Sequence, residues 1–179
     1  DLYVTNGYKR DTKNNDLQYK LDSLQEEKGS VTIQEFLELI PARKVRNKLY
    51  LNQGSYKFKS VEVDAGLVES VNSNGAVYVD LDNDGDLDLV TNNIDDLASV
   101  YENKTSLQGD FLCLEMDKKE QSNLIGSKVE LNTNRGQQLK EWYWSRGYAS
   151  SVDQRLFFYL HPNEVIKEVK VNGKLLDQF

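Results

Sequence analysis

Cysteine and histidine are almost missing from this sequence. One cysteine, Cys113, occurs in 179 residues, so no internal disulfide can form. Its setting, "DFLCLEM" (110–116), reads as strand, and an inert core thiol is expected. The single histidine, His161, excludes a zinc site built from several histidines and argues against a histidine-based triad. It precedes Pro162 in "YLHPNE", a turn sequence. No run approaches the roughly 18 apolar residues of a membrane span, so no membrane insertion is expected. Basic residues are outnumbered, 22 against 29 acidic, for a net charge of −7. Binding a phosphate backbone needs a basic patch, so nucleic acid is not an expected partner. The one basic run, "ARKVRNK" (42–48), reads as a solvated connector. Neither an initiating methionine nor a signal-like segment opens the chain, and a piece of something longer is expected.

What is present is a globular composition, 39% hydrophobic and 28% charged. Leu17, Leu21 and Leu24 recur at helical spacing within 16–28. Thr32 and Glu35 form a capping-box pattern, Ile33, Phe36, Leu37 and Ile40 an apolar stripe, and Pro41 a stop. Both stripes are expected to be packing surfaces, and together they make a helical insert at about 16–41. From Leu49 onward the signals are β. Strands are expected at 49–51, 57–63, 76–80, 87–91 and 98–102, with turns at "NQGS" and "NSNG". A second β block runs through 110–116, 127–133, 137–144, 156–160 and 165–171, with turns at "TNRG" and "VNGK". The polar join near 103–109 is the expected boundary between residues 1–104 and 110–179. The opening "DLYVTNG" repeats the pattern of "DLVTNNIDD" (88–96), so an internal repeat is expected, once whole and once truncated.

Five aspartates, 80, 82, 84, 86 and 88, crowd "DLDNDGDLD" and carry five of the seven net negative charges. Without a cation such a cluster repels itself, roughly 1 kcal/mol per pair at 4 Å in water and more near protein. Calcium takes six to eight oxygens, and a short loop supplies them by curling, alternate carboxylates inward and a glycine at the bend. Asp80, Asp82, Asp84 and Asp88 are therefore assigned as side-chain ligands, Asp86 as a backbone-carbonyl ligand, and calcium as a structural ion. Magnesium fits less well, since it keeps its waters and uses few carboxylates. The alternative is a turn held by side-chain to backbone hydrogen bonds. An EF-hand is excluded: Thr91 stands where its bidentate glutamate belongs, and strand-like sequence flanks the loop.

"NKLYLNQGSYKFKSVEVDAGL", "SNGAVYVDLDNDGDLDLVTNN" and "ASVYENK" together resemble one blade of the FG-GAP/VCBS repeat family. Those repeats build integrin-α-like β-propellers with calcium in an Asp-x-Asp-x-Asp-Gly-x-x-Asp loop, here Asp80, Asp82, Asp84, Gly85 and Asp88. The stretches "SNLIGSKVELNTNRGQQLKEW", "SRGYASSVDQRLFFYL" and "VIKEVKV" resemble the ASPIC/UnbV domain that often follows such repeats. Its Gly-Tyr-x-Ser stretch falls on Gly147, Tyr148 and Ser150, while "FYLHP" and "VKVNG" depart from its pattern. The resemblance implies a mainly β chain: a partial propeller blade with a small helical insert, packed on a small antiparallel β unit. It also implies an extracellular, cell-surface or periplasmic protein of the Bacteroidetes type. Since a propeller needs four to eight blades, the remaining blades or a second chain are expected as partners.

"KEWYW" places Trp142 and Trp144 on one strand face, where with Tyr148 they are candidates for stacking on a sugar; packing into the core is the competing reading. Glu115, Glu130, Glu141 and Asp153 are scattered, and no spacing singles out the carboxyl pair a glycosidase needs. No catalytic residue is assigned. The expected function is a non-catalytic, calcium-stabilised module binding a protein or glycan partner, with a polysaccharide-acting enzyme as the alternative.

Overall fold

Strands dominate the computed structural model, which describes residues 1–10, 12, 15–40, 42–104, 109–117 and 124–176. The fold is mainly β: several small antiparallel sheets and two short helices, with no propeller among the described residues. The chain divides into two compact units, residues 1–75 with 92–97, and residues 76–91 with 98–179. The join expected near 103–109 falls in part on 105–108, outside the described residues.

In the first unit, β1 (Leu2–Val4) is followed by α1 (Asp16–Lys28), α2 (Ile33–Leu39), β2 (Val45–Arg46), β3 (Lys48–Asn52), β4 (Phe58–Ser60) and β5 (Ser70–Val71). One sheet runs β1-β3-β4, with Tyr3 opposite Leu49 and Leu51 opposite Lys59, and β2 pairs with β5. Leu17, Leu21 and Leu24 are the half-buried residues of α1, as their spacing requires. Gly29 ends that helix in the left-handed region, φ 76°, its N–H donating to the Gln25 carbonyl. The capping box on α2 is complete: Glu35 N–H donates to Thr32 Oγ1, and the Glu35 carboxylate accepts from Thr32 N–H. The stripe expected on α2 is only partly covered. Ile40 and Phe36 turn inward, whereas Ile33 is 80% exposed and Leu37 also meets solvent. A helix of seven residues has room to bury one end, and the buried end is the one Arg10 holds: its guanidinium donates to the carbonyls of Leu37 and Ile40, each at 2.5 Å. The stop assigned to Pro41 lies outside the described residues.

The turn expected at "NSNG" is strand instead: β6 spans Ser73–Val79. Turn-forming side chains here bond across the unit rather than to their own backbone. Buried Ser73 accepts from Asn47 Nδ2 (2.8 Å) and donates to Asn93 Oδ1 (2.7 Å). Asn47 also donates to the Tyr3 hydroxyl, and Asn93 Nδ2 to the Leu97 carbonyl. That network removes the local competition that would otherwise favour a turn.

The second unit contains β8 (Ser99–Tyr101), which pairs antiparallel with β7 (Asp88–Asn93) in a sheet of order β6-β7-β8. It also contains β9 (Asp110–Leu114), β10 (Lys128–Thr133), β11 (Gln137–Glu141), β12 (Leu156–Leu160), β13 (Ile166–Val171) and β14 (Lys174–Leu175). Sheets form as β11-β10-β13-β14 and β12-β9. Val129 and Leu131 alternate inward along β10 and meet Leu114, Met116, Trp142, Phe158, Leu160 and Val169 in the core. Two turns follow directly from sequence. Thr133 N–H donates to the Gly136 carbonyl at "TNRG", and Asn172 and Gly173, both at positive φ, form the two-residue loop between β13 and β14.

Candidate metal centre

Strands β6 and β7 deliver the acidic loop. It curls because its aspartates bond to N–H groups two residues on: Asp82 Oδ1 accepts from Asp84 N–H at 3.3 Å and Asp84 Oδ1 from Asp86 N–H at 3.0 Å. Asn83 and Gly85 provide the bend, at φ 62° and 92°. A Cβ built on Gly85 would overlap the Phe111 ring, so both conformation and space require glycine there.

Curling brings Asp80, Asp82 and Asp84 together, one oxygen of each lying within 4.8 Å of the others. Asp82 and Asp84 are exposed, whereas Asp80 is 5% exposed. Buried Asp80 Oδ1 has no hydrogen-bond partner among the described residues, an expensive state for a carboxylate oxygen. A hard cation ligated by oxygen would complete it, so this all-oxygen donor set could hold a metal ion. The other two aspartates sit differently. Asp88 is buried and works as a clasp: its Oδ2 accepts from Leu81 N–H (3.1 Å) and its Oδ1 from Asn103 N–H (2.9 Å). Asp86 is also buried. Burial first, then the charges of Asp84, Asp88, Asp82 and Asp80, pushes its carboxyl up to about 6.

Sequence reasoning missed Arg155. Its guanidinium donates to the Asp80 carbonyl (3.2 Å) and Asn83 Oδ1 (3.3 Å), and it forks onto Asp153 at 2.6 Å. Burial tends to raise the Asp153 carboxyl, but hydrogen bonds from Arg155 outweigh it and hold the group below its ordinary value. Seventy-odd residues separate Arg155 from the loop it braces, and no local spacing signals such a partner.

The aromatic candidates separate. Trp142 is 4% exposed, within the core, with Nε1 donating to the Gln154 carbonyl at 2.6 Å. It therefore has no face to present to a sugar, being one of the core cluster that includes Phe158. Trp144 is partly buried against the same cluster. Tyr148, 74% exposed, stands alone of the three in solvent. Among the other scattered acids, Glu141 and Asp153 line one cleft of this unit. Cys113 is half-buried, and burial raises its thiol pKa, as for an inert core cysteine.

Residues 117–172 match the ASPIC and UnbV family model. The match contains β10 to β13 and the Gly147-Tyr148-Ser150 stretch, where Ser150 Oγ donates to the Tyr148 carbonyl and accepts from Ala76 N–H. No curated protein matches the chain.

Proposed function

We propose that the chain is a calcium-stabilised, non-catalytic interaction module of an exported protein, engaging a protein or glycan partner. One observation carries the reading: three carboxylates converge in the loop between β6 and β7, and a buried oxygen of Asp80 among them has no partner among the described residues. In this reading Asp80, Asp82 and Asp84 ligate calcium, and the loop is of FG-GAP/VCBS type, the forerunner of an ASPIC/UnbV domain. The ion fixes the loop between β6 and β7 and stabilises the fold by mass action, roughly 2.7 kcal/mol at a hundredfold excess over Kd. Calcium-rich surroundings outside the cell or in the periplasm suit such a site. Further blades, on the parent chain or a second one, are the expected neighbours.

The carboxylates favour this over an enzyme. A glycosidase acid needs a raised pKa in a groove. Asp153 is held down by Arg155, and Asp86, the one carboxyl raised among the described residues, belongs to the loop. Melting curves in calcium and in chelator test the proposal. Calcium should raise the melting temperature, and Asp84→Ala should abolish most of that rise. An unchanged calcium response in the variant overturns the assignment.

A further inference from the structure

A cleft of about 430 Å³ opens in the second unit beside β11, the outer strand of its sheet. That volume lies within the roughly 300–1,000 Å³ of small-ligand sites. Among the described residues four cations line it, Lys128, Lys140, Arg146 and Arg155, against two carboxylates, Glu141 and Asp153. Asp153 is already taken by Arg155. Glu141 accepts from the Tyr143 hydroxyl at 2.7 Å and stands opposite Lys128 in the β10–β11 ladder.

Lys140 and Arg146 have no carboxylate partner among the described residues. The Lys140 ammonium donates to the Phe157 carbonyl and lies 5.1 Å from the centre of the Phe158 ring. Arg146 donates to the Glu141 carbonyl at 3.2 Å and stacks on Tyr143 at 5.2 Å. Burial, and after it the charge of Arg146, lowers the Lys140 pKa below the ordinary lysine value. Two cations that repel each other in a cleft, within a chain of net charge −7, make a local demand for an anion. The remaining walls decide what frame the anion should sit on. Tyr78 and Tyr143 are each more than a third exposed, and Leu87 and Leu139 add apolar surface. Flat aromatic surface beside cations suits a ring that carries a charge.

We propose that this cleft binds an acidic saccharide, a sugar ring bearing a carboxylate or a sulfate, with Lys140 and Arg146 taking the anion and the tyrosines the ring. The proposal deepens the interaction-module reading and rests on it. It names a ligand class that the metal loop does not determine.

Titration calorimetry on the calcium-loaded chain tests it with three probes: a hyaluronan hexasaccharide for carboxylate, sulfated maltohexaose for sulfate, and maltohexaose as the neutral control. At least one acidic probe should bind, weakening as salt rises, and which one binds identifies the anion. The neutral probe should give no measurable heat. Arg146→Ala, which removes an exposed side chain, should weaken binding roughly tenfold or more, as expected for a charge-assisted hydrogen bond. Arg146→Lys should restore part of the loss, and melting curves confirm that both variants fold. Absence of binding by both acidic probes, equal binding of maltohexaose, or unchanged affinity in Arg146→Ala overturns the proposal. The calcium shift in melting temperature, read on the same sample, reports separately on the module reading. A normal shift without saccharide binding sinks the cleft proposal alone.

Discussion

The Lys140 ammonium donates to the main-chain carbonyl of Phe157. It is the middle rung of a ladder made of side chains. Gln138 Nε2 donates to the Tyr159 carbonyl at 2.8 Å, and Trp142 Nε1 to that of Gln154 at 2.6 Å. Residues 138, 140 and 142 are two apart, so an extended chain points all three the same way. β12 itself pairs with β9, and this ladder brings side-chain donors to main-chain carbonyls on β12 and just ahead of it. Lys140→Met keeps the aliphatic stem and deletes the donor, leaving a carbonyl short of its partner. The expected loss is about 1–3 kcal/mol in urea unfolding. A loss no larger than that of an exposed lysine, such as Lys174→Met, would show that the ladder contributes nothing.

Gly85 and Phe111 make a second, steric prediction. Gly85→Ala faces two separate penalties, a backbone at φ 92° and a Phe111 ring where the methyl must go. The variant should lose roughly 1–3 kcal/mol. Adding Phe111→Ala should recover the part due to overlap and leave the part due to φ. A double-mutant cycle in urea separates them, with simple additivity arguing that the ring is not the obstacle.

Asp86 ties the loop to pH. Its carboxyl titrates near 6 in the fold, against 3.8 for the ordinary group. Between those values the unfolded chain gives up the proton first. The contribution is complete below the unfolded value and is lost as pH rises through the folded one. Metal-free protein should therefore lose stability from about pH 4 to about pH 6, and Asp86→Asn should flatten that segment of the profile. Calcium should reverse the trend, because a cation beside the aspartates favours their charged forms. Urea midpoints in chelator and in calcium across that range check both signs.

How far the sequence carries depends on the range of the interaction. The Thr32–Glu35 capping box, the Asn172-Gly173 hairpin loop and the alternation of Val129 and Leu131 each rest on neighbours a few residues away, and all are legible. So is the curl of the acidic loop, since Asp82 and Asp84 bond two residues ahead. Its asymmetry is not legible. Asp80 and Asp88 look alike in the sequence, yet one keeps a buried oxygen with no partner among the described residues while the other clasps Leu81 and Asn103. Arg155 at the loop and Arg10 at the end of α2 are long-range partners, and composition carries no trace of either. Trp142 shows the limit of strand periodicity, which sets a face but not whether core or solvent lies beyond it.

Ser73 is the other place where local rules mislead, and it supports the last prediction. "NSNG" has the composition of a turn, but Ser73 has no exposed surface, and its hydroxyl joins Asn47 to Asn93. Each partner is itself buried and bonded onward, Asn47 to Tyr3 and Asn93 to Leu97. Ser73→Ala fills almost the same volume, so packing should change little. It strips a partner from a buried donor and from a buried acceptor at once, and the loss should be roughly 1–3 kcal/mol. Ser73→Ala combined with Asn47→Ala should cost less than the sum, because the second change removes a donor the first has already orphaned. Strict additivity in urea unfolding would mean that the two side chains hold the first unit independently, and that the strand at 73–75 forms for some reason other than this network.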